Sequence, residues 1–457
     1  MRVLFYKSIF LFALLFFFSK TFSQLVLPKM AEVTPAAPNT AALGKFGTYP
    51  VTLNTGLIDI SVPVCQIKTP KLSVPISLSY HPSGIKVNDV STWAGLGWSI
   101  ISAGSITRSI MGNADEIYEG YLSTSGTQEI KDVGQTSFDR NLITIQDYLE
   151  KIETGYIDPE PDIFAYNFLG SSGRFIYNKD KTSFIRIPFD KSKVTVDFTN
   201  GFITITEKDG TFYRFGKALD GTDYKEYTSI LYANGQPGSA PVNWPLTTVI
   251  SADKKDTIQF KYTSSTGTFI TDRIERFIVY SEHEGYQTLL PTAGTNTSTY
   301  QDLNNGYTGQ LPSEIIFKNG KVVFETIQDR TDISGEKRLS TIKIYNIDLS
   351  NDTYVLQKTV QFYQSYFDAE RMRLDSVGFT APGATQAQIY RFGYNSTSLP
   401  ARLNKAQDWW GYYNDYANST LIPPISIPEG TGYLTYNTSV NREPNFTYAR
   451  ARLTEVL

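Results

Sequence analysis

The residues best suited to chemistry stand together late in the chain. Asp408, Trp409, Trp410, Gly411, Tyr412, Tyr413, Asn414, Asp415 and Tyr416 follow one another without a break. Aromatic faces stack on sugar rings, and nearby carboxylates bond hydroxyls. Trp409, Trp410, Tyr412, Asp408 and Asp415 are therefore the candidate glycan-binding set. Two carboxylates about 5 to 9 Å apart would extend that chemistry to glycoside hydrolysis. The alternative reading is that these rings are apolar bulk closing a sheet, an ordinary use of aromatic side chains.

Other chemistry finds fewer residues. His81 and His283 are the only histidines, so a Ser-His-Asp or Cys-His arrangement is hard to assemble. His81 follows Tyr80 and reads as a turn residue, and no His/Cys spacing fits zinc. Asp158, Glu160 and Asp162 alternate with Pro159 and Pro161. Alternating carboxylates suit Ca²⁺, but a dedicated site wants about six to eight oxygens from a yielding loop, and two prolines stiffen this one. The expectation is no metal, no cofactor and no catalytic residue, hence a non-enzyme. Gly95-Leu96-Gly97-Trp98 has neither the following helix nor the Lys of a phosphate loop. It reads as a structural corner. Gly95, Gly97 and Gly104 permit positive φ or close backbone approach, with Gly104 as a bulge and Trp98 as the wedge.

The elements that would position these residues are strands. With 33 Gly, 22 Pro and only 4 Met beside 30 Tyr and 28 Phe, the composition is that of an all-β protein. Alternation at Val74–Tyr80 and Ile100–Ile110 brackets the corner. Asn200-Gly201 and Asp209-Gly210 separate alternating runs, the strongest short-range hairpin signals. Further hairpins fit Gly170–Gly173, Asp253–Lys255 and Asn319-Gly320. Serial antiparallel hairpins should then form large twisted sheets, either a sandwich or a partial shell. One short helix is expected near 140–154, where Leu142, Ile145, Leu149 and Ile152 recur at helical spacing. The polar run Gln287–Gln310 reads as a loop. The boundaries are 1–23, 24–44 as an extended lead-in, 45–111 as an N-terminal β unit, 112–162 as a polar insert, and 163–457 as the hairpin region.

Residues 1–23 read as a signal peptide: Arg2 and Lys7 precede the apolar run Ile9–Phe18, and cleavage is expected after Ser23. The chain should be exported, secreted or at the cell surface, with the periplasm a further possibility, and no membrane span remains after signal removal. Net charge is −3 and becomes −6 when Arg2, Lys7 and Lys20 leave, since three cations and no acid leave together. That balance excludes a nucleic-acid partner, which needs a concentrated basic face. Cys65 is the only cysteine, so no intramolecular disulfide forms.

A short pattern recurs. Arg338-Leu339, Arg373-Leu374 and Arg452-Leu453 each begin Arg-Leu-x-x-(Ile/Val), ending at Ile342, Val377 and Val456. The first two open hairpins returning through Thr359–Tyr366 and Gln388–Tyr394, and the third reads as an incomplete repeat. Pro75–Arg108, Glu160–Phe164 with Phe168-x-Gly170 and Gly173-x-Phe175, Arg373–Val377, and Lys405–Tyr413 together resemble the N-terminal region of the RHS/YD-repeat proteins of Bacteroidota-type bacteria. The Gly-Leu-Gly-Trp-Ser corner more distantly resembles the entry domain of toxin-complex B subunits. The resemblance implies a β-rich scaffold of a cell-surface or secreted protein, one whose relatives build toxin-delivery shells. Its partner would be a downstream repeat-containing chain or a surface glycan. A run of Tyr-Asp repeats is missing here, so the enclosed shell and a C-terminal toxin do not carry over. A carbohydrate-binding adhesin is the second expectation and a glycoside hydrolase the third.

Overall fold

The computed structural model describes residues 51–52, 57–58, 60–117, 120–122, 150–154, 156–178, 183–231, 237–278, 297–368, 370–423, 425–429, 432–436, 440–445 and 453–456. The signal segment, the lead-in and residues 140–149 of the expected helix lie outside them, while residues 150–153 are helical. All other regular structure among the described residues is β. Among these residues no helix is long and apolar enough to cross a membrane.

Strands β1 (Val51–Thr52) and β2 (Leu57–Ile58) form a small antiparallel pair. Strands β3 (Ile60–Lys68), β4 (Ser73–Tyr80) and β5 (Trp98–Ile101) make a three-stranded sheet. In β4 the even positions from Val74 to Tyr80 are buried, the period-2 pattern of a sheet with one face on the core. The ladder to β5 covers only Ser77–Tyr80, so Pro75 lies beyond it and costs no hydrogen bond there.

The chain then changes sheets. Strand β6 (Gly104–Ser109) pairs with β7 (Ile163–Phe168), which continues into β8 (Ser171–Tyr177) and β9 (Phe184–Ile187). Gly104 is therefore not a bulge in one long strand. It begins a new strand with a new partner, because hydrogen-bond partnership is not written in the side-chain alternation that runs on across Ser102 and Ala103. Strands β10 (Lys193–Asp197), β11 (Phe202–Thr206) and β12 (Phe212–Phe215) follow as consecutive hairpins around Asn200-Gly201 and Asp209-Gly210, as expected. The turn between β7 and β8 is tighter than expected, only Leu169-Gly170.

Strands β13 (Glu226–Leu231) and β14 (Pro237–Ile250) pair next. β14 is where two ladders meet: Asn243–Pro245 pair with β6, and Leu246–Ile250 pair with β12. Strands β6 to β9 and β10 to β12 thus form two arms joined at β14. Phe168 against Tyr213 and Phe215, and Tyr177 against Phe198, fill the space between the arms.

From β14 a meander adds one neighbour at a time: β15 (Thr257–Ile278), β16 (Thr297–Phe317), β17 (Gly320–Ile327), β18 (Arg338–Asp348), β19 (Thr353–Asp368), β20 (Arg371–Thr380) and β21 (Gln388–Tyr394). Residues 297–310, expected in a loop, belong to β16 and pair with β15. The main chain supplies that pairing, so polar composition did not reveal it. Strands β22 (Ile425–Glu429) and β23 (Gly432–Tyr436) form a separate hairpin, and β24 (Leu453–Val456) pairs with β21. Two Arg-Leu-x-x-(Ile/Val) segments lie in β18 and β20, each paired with its return strand, and the third supplies β24. One continuous apolar core draws on the three-stranded sheet and the large sheet, from Val62 and Leu78 through Phe164 and Ile203 to Val360 and Phe392.

Candidate functional site

The loop between β4 and β5, residues 81–97, links the two sequence-chosen regions. At its end the corner is fixed by its glycines: φ is +137° at Gly95, +79° at Gly97 and +108° at Gly104. A Cβ on Gly95 would lie 2.9 Å from the Leu374 nitrogen, and one on Gly97 2.6 Å from the Tyr80 ring. The Leu96 N–H donates to the Met372 carbonyl at 2.8 Å, which brings the corner against β20. Trp98 is fully buried, packs on Tyr80 and Phe392, and donates from Nε1 to the Tyr394 hydroxyl at 2.8 Å. This arrangement holds sheets together and offers no surface to a ligand.

At its start the same loop holds the aromatic turn. The Val87 N–H donates to the Gly411 carbonyl (2.8 Å), and the Tyr412 hydroxyl donates to the Ser83 carbonyl (2.9 Å). Asp408 is buried, and its Oδ1 accepts the N–H groups of Trp410 (2.8 Å) and Tyr412 (3.0 Å). That carboxylate shapes the turn and is not presented to a ligand. Tyr412 is likewise engaged as an anchor. Asp415 is exposed and accepts the Tyr413 hydroxyl at 2.7 Å.

Trp409 and Trp410 point the other way. They are 57 % and 60 % exposed, whereas Trp93, Trp98 and Trp244 are 9 % exposed or less. Tyr416 is also exposed. Of the five sequence-chosen residues, the structure therefore presents Trp409, Trp410 and Asp415 outward and uses Asp408 and Tyr412 as supports. The reading of the whole cluster as apolar filling does not fit the two indoles.

Arg442 and Glu275 belong to this site although neither stood out in the sequence. The Arg442 guanidinium lies 5.1 Å from the Trp409 ring and donates to the carbonyls of Asp408 (2.8 Å) and Leu421 (3.1 Å). Glu275, on β15, accepts from Lys405 Nζ at 3.1 Å and from the Leu421 N–H at 2.7 Å. Burial alone would raise its carboxyl, but the bonds from Leu421, Thr420 and Lys405 prevail and hold it below the usual range. Asn414 and Asn418 add side-chain amide bonds to the Asn441 carbonyl, at 2.9 and 3.0 Å. Irregular backbone is thus fixed by side chains where no ladder is available. An indole pair held on such a base can stack on a flat apolar partner with little ordering cost.

The remaining candidates are structural. His81 is exposed, with Nδ1 2.8 Å from the Ser83 hydroxyl, and His283 lies outside the described residues. Burial pushes the Cys65 thiol up to about 11, so the reactive thiolate is disfavoured. Asp158 and Asp162 turn inward and accept main-chain N–H groups of Asn113 and Met111. Among the described residues no three His, Cys, Asp or Glu side chains gather as a metal site. Compared with known proteins, the chain matches no family model and no curated sequence.

Proposed function

We propose that this chain is an exported, non-enzymatic β-scaffold, the N-terminal part of an RHS/YD-repeat-type cell-surface or secreted protein. The observation that carries the reading is the meander from β14 to β21, with two Arg-Leu-x-x-(Ile/Val) segments in successive hairpins and the third beside them in β24. Such a chain grows a sheet by adding hairpins to an existing edge, which is how a shell wall extends. The motif resemblance at Pro75–Arg108 and Lys405–Tyr413 supports the same reading. Expression with the native leader should give a folded, exported product that begins at Gln24. Retention in the cytoplasm, or turnover of a glycan or peptide that Asp415→Asn abolishes, would overturn it.

The exposed indoles favour a second reading, a carbohydrate-binding surface module. Asp408 is committed to its turn, so binding is favoured over two-carboxylate hydrolysis. Glycan-array binding should be lost in Trp409→Ala and Trp410→Ala while the circular dichroism spectrum stays unchanged. Binding that survives both substitutions sinks this reading.

A further inference from the structure

A buried cluster away from the aromatic turn holds more acid than its cation balances. Arg108, on β6, has no exposed side-chain surface, and three carboxylates face it. Glu116 accepts both terminal nitrogens, at 2.6 and 3.1 Å, and Asp162 Oδ2 lies 3.4 Å from Nη1. Asp115 and Asp162 also clasp each other: the Asp115 N–H donates to Asp162 Oδ2 (3.1 Å), and the Asp162 N–H donates to Asp115 Oδ1 (3.0 Å). Both residues are 0 % exposed, and Asp115 Oδ2 is buried with no hydrogen-bond partner among the described residues. The Glu116 side chain keeps 21 % of its surface in solvent, but Asp115 and Asp162 set two further carboxylates beside the same guanidinium with no exposure at all. An ionised carboxylate with an unpaired oxygen is among the costliest groups to bury. A proton on that oxygen neutralises the carboxylate with the unpaired oxygen without moving any atom of the clasp, and leaves Arg108 facing Glu116 and Asp162.

We propose that Asp115 is a neutral carboxylic acid at physiological pH, and that the Asp115–Asp162 pair is a proton-operated clasp holding residues 111–117 against 156–162. The electrostatic surroundings agree. Burial first, and then the Asp162 charge, push the Asp115 carboxyl up to about 8, and burial pushes Asp162 up to about 6. Arg108 faces the pair from β6, Glu116 from the adjoining turn, and Tyr177 from β8, its phenol raised by burial and by the Asp115 and Glu116 charges. Asp158, also raised by burial, and Glu160 lie on the same strap as Asp162. Because the closed clasp binds a proton that the open one releases, its contribution is full below about pH 4. It declines as pH rises and is gone above about pH 8.

Amide hydrogen exchange at Asp115 and Asp162, corrected for the intrinsic pH dependence of exchange, tests the clasp in the exported chain. Protection should fall about tenfold per pH unit between about pH 6 and about pH 8, and Asp115→Asn should flatten that slope. The Asp115 carboxyl carbon, followed by NMR in the wild type, should titrate near pH 8 and needs no variant that folds. A carboxyl already ionised at about pH 6, or the wild-type slope persisting in Asp115→Asn, overturns the proposal.

Discussion

Trp98 and Trp410 each adjoin a glycine of positive φ, Gly97 at +79° and Gly411 at +89°, yet one indole is wholly buried and the other 60 % exposed. Both turns are tied to the loop 81–97. The difference lies in what surrounds the glycines. A Cβ on Gly97 would collide with the Tyr80 ring at 2.6 Å, whereas one on Gly411 would meet nothing nearer than Gln407 Oε1 at 3.6 Å. The corner needs glycine for space as well as for backbone freedom, and the aromatic turn needs it for backbone freedom alone. Close packing draws Trp98 into the core. At the other turn, side-chain-to-main-chain bonds from Asp408, Arg442 and Asn414 hold the backbone while leaving the indoles outside.

The sharpest way to break this contrast is to add side chains to the glycines. Gly104→Val would place Cβ 2.2 Å from the Asn167 carbonyl oxygen and 2.5 Å from the Phe168 Cα, backbone atoms that cannot step aside. Together with Gly97→Val, it should destabilise by more than about 4 kcal/mol and abolish soluble yield, while Gly411→Ala should cost about 1 to 2 kcal/mol of φ strain. Equal urea midpoints for the two classes would refute the distinction.

Next in size is the tryptophan exchange. Trp98→Ala should cost about 3 to 5 kcal/mol by leaving a cavity among Tyr80, Phe392 and Tyr394, and Trp410→Ala only about 0.5 kcal/mol. Chemical denaturation of both variants checks the pair, and a costly Trp410→Ala would place that ring in the core after all. Asp408→Ala should cost about 1 to 3 kcal/mol, because the N–H groups of Trp410 and Tyr412 lose their acceptor. Asp415→Ala should leave thermal stability nearly unchanged, so comparing the two melting points separates the support from the exposed acid.

The smallest effect is a pH dependence confined to the aromatic turn. The Glu275 carboxyl is held below its usual range, so its contribution is present above about pH 4.5 and is lost as the pH falls through its lowered value. Glu275→Gln should remove under about 1 kcal/mol and flatten the acid limb of stability. Asp115 has the opposite sign, weakening its clasp as pH rises. A stability profile that falls on both sides would show the two regions as separate titrations, and one unchanged by Glu275→Gln would remove that carboxylate from the account.

Much of the fold was legible. The hairpins at Asn200-Gly201 and Asp209-Gly210 formed where expected, because type and spacing of turn residues act within a few positions. The reach of β15 and β16 was hidden, since polar residues 297–310 pair through main-chain groups that every residue carries. The Asp115–Asp162 clasp was hidden for another reason: its partners are 47 residues apart, and Asp115 sits in a run without periodicity. Within the aromatic cluster, the sequence could not separate Trp409 and Trp410, which face outward, from Asp408 and Tyr412, which support them.

What the chain's own order determined is therefore local: an all-β content, turns at Asn-Gly and Asp-Gly, and the glycines at which φ turns positive. These follow from steric limits on single residues and from the two-residue period of a strand. Tertiary structure alone decided which sheet β6 would join, which tryptophans would be covered, and which carboxylates would be buried side by side. Each of those depends on atoms brought together from distant segments, and burial and charge balance exist only after that assembly.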